Sequence, residues 1–190
     1  MGSSSPAEVY VSVDVETAGP SPGEYGLLSI GACLVDEPQR GFYVELQPLT
    51  ANALPEALAV NRLSLSALVE HGISPGEAMA RFAAWLQSEV PSDRRPVFVA
   101  LNAPFDWMFV NDYFHRFLGW NPFGHSALDM KALYMGLTGC RWSESSLANI
   151  AARYSVELQL THHALEDAQD QARLFRHMLD ELAGRFPGAH

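Results

Sequence analysis

VYVSVDVE, residues 9–16, alternates without a break: Val9, Val11, Val13 and Val15 fall on one face, Tyr10, Ser12, Asp14 and Glu16 on the other. A period of two over eight residues is a β-strand with one apolar face. Reading outward, TAGPSPGEYG (17–26) is rich in turn formers, and LLSIGACLV (27–35) is a second apolar strand. A turn containing Pro and Gly leads to a third strand, GFYVELQP (41–48). Such short connections predict an antiparallel meander. From about 55 to 90 the pattern turns helical, with Pro75 near a helix start and Phe82, Trp85 and Leu86 on one face. PVFVA (96–100) is a short apolar strand expected to be buried on both sides. Pro104 suits the first turn of a helix running through Phe114. Helical patterns recur at about 129–137 and 144–154. The last helix is the clearest: Leu165, Ala168, Ala172, Phe175, Leu179 and Leu182 form one continuous stripe, and Pro187 ends it. Strands interrupted by helices predict an α/β fold with a mixed sheet.

The 190 residues suffice for one well-packed domain, expected over 7–186, with 1–6 a disordered N-terminal segment. No apolar run reaches the roughly 18–20 residues of a membrane span. MGSSSPAE lacks a signal-peptide pattern, so a cytoplasmic protein is expected. Cys33 and Cys140 have no metal or redox spacing and read as reduced thiols. The net charge of −10 argues against a protein that grips long nucleic acid, and is compatible with one that touches a short piece of it.

Asp14 and Glu16 share one strand face, with alpha carbons roughly 6–7 Å apart. Such a pair is either a solvated strand end or half of a cation site. Asp106 and Asp167 each fall in the first turn of a helix, where the helix dipole favours an acid in any case. Asp129 reads as an N-cap. Taken together, Asp14, Glu16, Asp106 and Asp167 are an all-oxygen set with no cysteine nearby. That chemistry suits Mg²⁺ or Mn²⁺ better than zinc. Two such ions about 3.5–4 Å apart can activate a water and stabilise the leaving oxygen of a phosphodiester. A base for the water is still needed, and His162 and His163 stand just ahead of Asp167.

DVET (14–17), NAPFD (102–106) and HHALEDA (162–168) resemble, in order, the three motifs of the DEDDh family of 3′→5′ exonucleases, in its ribonuclease T-like branch. The likeness extends from about residue 8 to 184. It implies a ribonuclease H-like fold: a mixed five-stranded sheet flanked by helices. It also implies roles. Asp14, Glu16 and Asp167 would bind one metal, Asp14 would bridge to a second that Asp106 completes partly through water, and His162 would be the general base. A homodimer is a further implication. Leu101 departs from relatives that carry a histidine before the asparagine of the second motif.

Helical spacing alone points to the other histidine. On a continuous helix His163 and Asp167 lie about 40° apart, His162 and Asp167 about 140°. A helix beginning near Ala164 resolves this, since His162 then sits on a loop free to reach an attacking water, and His163 becomes a surface residue. For substrate, backbone groups at Thr17 and Ala18 would lie beside the metals, where the terminal nucleotide should sit, and Phe105 and Phe109 match aromatic positions of the ribonuclease T-like motif, where each ring either stacks on a base or packs in the core. Trp107, Phe123 and Tyr25 are looser aromatic candidates, and Arg141, Arg153 and Arg173 could meet phosphates. The expectation is an enzyme using two Mg²⁺ or Mn²⁺ ions to release nucleoside 5′-monophosphates from single-stranded or frayed 3′ ends of RNA or DNA. The alternatives are a proofreading-type accessory subunit and a catalytically silent nucleic-acid-binding module on the same fold.

Overall fold

The computed structural model describes residues 7–158 and 161–187; the segment 1–6, expected to be disordered, lies outside them. The alternating stretch is β1 (Glu8–Thr17), which pairs antiparallel with β2 (Leu27–Leu34), itself antiparallel to β3 (Gly41–Glu45). The predicted meander is therefore present. On its other side β1 runs parallel to β4 (Arg95–Ala100), and β4 to β5 (Ala127–Asp129), giving the order β3-β2-β1-β4-β5. β1 is central, so both its faces are covered. β5 has only three residues and no pattern of its own.

The helical region resolves into α1 (Pro55–Asn61), α2 (Leu65–His71) and α3 (Pro75–Glu89). Ser64 and Ser74 cap the last two by accepting a backbone N–H three residues on. α4 (Ala103–Leu118) follows β4 directly, and α5 (Met130–Thr138) follows β5. A 3₁₀ turn at Trp142–Glu144 precedes α6 (Leu147–Tyr154), and α7 (Ala164–Arg185) closes the fold. The helix therefore starts at Ala164, where the loop placement of His162 requires it.

The valine face of β1 packs with Ile30, Ala32 and Leu34 of β2 against α3 and α4, around Phe82, Phe109, Tyr113 and Phe114. The opposite face meets α5, α6 and α7, around Val99, Met130, Ile150, Phe175 and Met178. Burying such side chains contributes roughly 1.5–3 kcal/mol each. The two layers hold the sheet rigidly enough to present β1's polar residues to a fixed partner.

Candidate active site

Strand register sets the site. Asp14 pairs with Gly31 and Gly31 with Tyr43; Glu16 pairs with Ser29 and Ser29 with Glu45. Directly opposed residues share a sheet face, so these are two adjacent rows on the face that α7 covers. A Cβ on Gly31 would collide with the backbone of Ala164 and Leu165. Glycine there lets the first turn of α7 rest on the sheet, and this brings Asp167 beside Glu16. Asp106 arrives from α4, whose first turn lies at the C-terminal end of β4. Its Oδ1 accepts the Val15 N–H at 3.1 Å, tying α4 to β1. Asp129 caps α5 by accepting from Ala132 N (2.7 Å), as expected, and also accepts the Ala103 N–H at 2.7 Å. It anchors the start of α4 rather than joining the cluster.

The sequence-predicted acids line one open cavity together with His162, Phe105 and Gln171. Ligand atoms of Glu16, His162 and Asp167 all lie within 4.8 Å of one another. Burial raises the Asp14 carboxyl well above the usual range, helped by the charges of Asp106, Glu16 and Asp167. Burial, then Asp167, pushes Glu16 up to about 7. Asp106 and Asp167 are raised too, chiefly by burial. A divalent cation bound among such crowded, buried carboxylates favours their ionised form, because its charge offsets both repulsion and desolvation. The oxygen-rich donor set fits a hard cation.

The two histidines part company. His162 lies on the loop, exposed, with φ of 54° in the left-handed region. His163 is the N-cap residue of α7; its carbonyl accepts the Asp167 N–H at 3.0 Å. It is not the surface residue expected. It is half-buried, its ring stacked on Tyr43 with centroids 4.3 Å apart and planes 23° apart. The reason is that Gly31 lets α7 begin against the sheet, and this brings His163 onto Tyr43, the residue paired with Gly31. That stack also takes His163 away from sharing an ion with Asp167, as helical spacing alone had suggested.

Several substrate candidates need correction. Phe109 is fully buried and packs against Phe105 at 5.5 Å, so it supports that ring and cannot stack on a base. Ala18 is buried, with its N–H bonded to Gly26 and its C=O to Leu54, so its backbone is spent within the fold. The Thr17 carbonyl accepts from Asn61, although Thr17 still borders a hollow next to Glu16 and Phe105. Phe123 is in the core and Trp107 packs edge-on against Phe98. Tyr25 packs over Gly19 and a small apolar cluster. Arg153 pairs with Glu181 and Arg173 with Asp170. Arg141 remains exposed. Phe105 is half-buried and lines both the acid cavity and the neighbouring hollow.

Gln171 is the residue that sequence reasoning missed. It is buried, accepts the Leu101 N–H at 2.8 Å and donates to Asp14 Oδ1 at 2.7 Å. Because a backbone N–H can only donate, the amide orientation is determined: oxygen to Leu101, nitrogen to Asp14. Its place one helical turn after Asp167 was the available signal.

With this geometry in view, the comparisons converge. The exonuclease family model named for ribonuclease T matches residues 11–175. A 3′-5′ DNA exonuclease, Cap18 of Escherichia coli, is 46% identical over 93% of this chain and 94% of its own. A ribonuclease T of Histophilus somni is 31% identical over 93% and 87%. Among solved structures, the nuclease domain of 3′hExo, a DEDDh family member bound to rAMP, superposes with a TM-score of 0.77 at 12% identity, covering 91% of this chain and 92% of that one. The chain belongs to the DEDDh exonuclease family and is a 3′→5′ exonuclease, a phosphodiester hydrolase, and its Glu16, His162 and Asp167 stand close enough together to hold a metal ion.

Proposed function

We propose that the chain removes nucleotides singly from the 3′ ends of single-stranded or frayed DNA and releases nucleoside 5′-monophosphates. The observation that carries this is the convergence of Asp14, Glu16, Asp106 and Asp167 with His162 in one open cavity. The choice of DNA is supported by likeness to a relative named as a DNA exonuclease. Asp14, Glu16 and Asp167 would hold one Mg²⁺ or Mn²⁺ ion, with Asp14 shared to a second that Asp106 completes. Bound cations supply positive charge that stabilises the phosphate as negative charge builds on it. His162, on an exposed loop beside Glu16 and Asp167, takes the proton of the attacking water. The water oxygen bonds to phosphorus, the P–O3′ bond breaks, and the 3′ oxygen leaves to be protonated from solvent. Phe105, at the junction of the two hollows, offers a face to the terminal base.

The test is digestion of 5′-labelled DNA and RNA single strands in Mg²⁺ or Mn²⁺, with Asp14→Ala alongside. A ladder shortening from the 3′ end of DNA, absent in Asp14→Ala, is expected. Full activity in Asp14→Ala would overturn the assignment, and faster digestion of RNA would overturn the choice of DNA.

A further inference from the structure

His162 is held in an uncommon backbone conformation between two anchored neighbours. Before it, the Thr161 N–H donates to Asp167 Oδ1 at 3.3 Å. After it, His163 is fixed by its carbonyl, which accepts the Asp167 N–H, and by its ring, which lies on Tyr43. A non-glycine residue at positive φ persists only where its surroundings over-determine it. Nδ1 of the His163 ring is buried with no hydrogen-bond partner among the described residues. What the ring supplies is its face.

Tyr43 is built to receive it. It stands opposite Gly31 on the face where α7 begins, and the missing side chain of Gly31 lets the backbone of Ala164 and Leu165 settle on the sheet, which sets His163 beside the tyrosine. Its hydroxyl donates to Glu45 Oε1 at 2.8 Å, which fixes the ring's tilt. Edge strand β3 is thereby joined to the loop bearing His162.

We propose that the Tyr43–His163 stack is a clamp that positions His162 for proton transfer. His163 is a positioning residue, and the clamp serves the exonuclease reading given above, on which it rests. Without the stack, the 161–163 segment samples backbone conformations in which the His162 imidazole points away from Glu16 and Asp167. All four carboxylates are retained, so the loss falls chiefly on turnover, with only a small effect on cation affinity through the Thr161 N–H bond to Asp167 Oδ1.

The test compares wild type with His163→Ala, His163→Phe, Tyr43→Ala and the Tyr43→Ala/His163→Ala double variant. Four quantities are read: kcat and KM on a 5′-labelled single strand, Mn²⁺ affinity by calorimetry, and hydrogen exchange of the amides of Thr161 and Asp167. His163→Ala is expected to lower kcat about tenfold and speed exchange at both amides, leaving KM and Mn²⁺ affinity within about twofold. His163→Phe keeps the face without the nitrogens and is expected to restore both kcat and exchange protection. Tyr43→Ala should match His163→Ala, and the double variant should be no worse than either single. Wild-type kcat and exchange in His163→Ala would overturn the clamp. So would a His163→Phe as impaired as the alanine variant, which would assign the work to the imidazole, or losses that multiply in the double variant. A wild type inactive on every strand would remove the exonuclease reading alone, because the exchange measurements still decide the clamp.

Discussion

Raising the pH should destabilise the metal-free protein, and a divalent cation should reverse the effect. Burial and the charge of Asp167 hold Glu16 near pH 7, against 4.5 for a free glutamate. The folded state thus binds a proton that the unfolded chain has already lost between those values. The associated stability is fully present below about pH 4.5 and is lost as pH rises to about 7 and beyond. At 1.36 kcal/mol per pH unit the difference corresponds to about 3 kcal/mol. Glu16 is half-buried, so solvent screening reduces this to roughly 2 kcal/mol. For a chain of this size that is a fall in Tm of roughly 4–8 °C. Asp14, Asp106 and Asp167 are shifted in the same direction and add to it. The assay is thermal unfolding by circular dichroism in chelator from pH 5 to 8, for wild type and Glu16→Gln. The wild type should lose stability across the window, and the variant should lose less of it. At pH 8, Mn²⁺ at about a hundred times its Kd should return about 2.7 kcal/mol, and at pH 5 much less, because protonated carboxyls do not ligate. A Tm that is flat or rises from pH 5 to 8 in chelator, equally in both proteins, refutes the reasoning.

Other outcomes follow from the same geometry. His162→Ala should lower kcat by about 10²–10⁴ with Mn²⁺ affinity little changed, as read by single-turnover kinetics and calorimetry; equal activity to wild type would remove His162 as the base. Gln171→Leu should weaken Mn²⁺ binding by about 10–100-fold, since it frees the Asp14 carboxylate to rotate and leaves the Leu101 N–H without its acceptor; calorimetry on the purified variant checks this. Gly31→Ala should cost about 1–3 kcal/mol in denaturant unfolding and also impair activity, because the added methyl pushes the start of α7 off the sheet. Phe105→Ala should raise KM more than it lowers kcat on single-stranded DNA if its ring meets a base.

The sheet core was legible because it is local. Val9 to Glu16 alternate in sequence as they do in space, and the apolar stripe from Leu165 to Leu182 repeats at the helical period whatever it packs against. Motif order made the four acids and the two histidines legible as a group. β5 was not, because three residues carry no period and its pairing depends on β4 already being in place. The substrate residues were read least well. Phe109 and Phe105 look alike in sequence, and only the packing of α4 on the sheet buries one fully and leaves the other at the cavity.

By itself, then, the sequence determined the four longer strands and the last helix, which acids could meet a cation, and that His162 needs a helix start at Ala164 to be useful. Tertiary structure decided the rest. The row joining Asp14, Gly31 and Tyr43 comes from strand register, which no single segment specifies. The contact between α7 and Gly31 brings together residues more than 130 positions apart, and from it follow the Gln171 bridge, the Asp167 position and the stack on His163. Periodicity constrains a residue against its chain neighbours, whereas a site is a relation between surfaces that meet only after the sheet and its helices have packed.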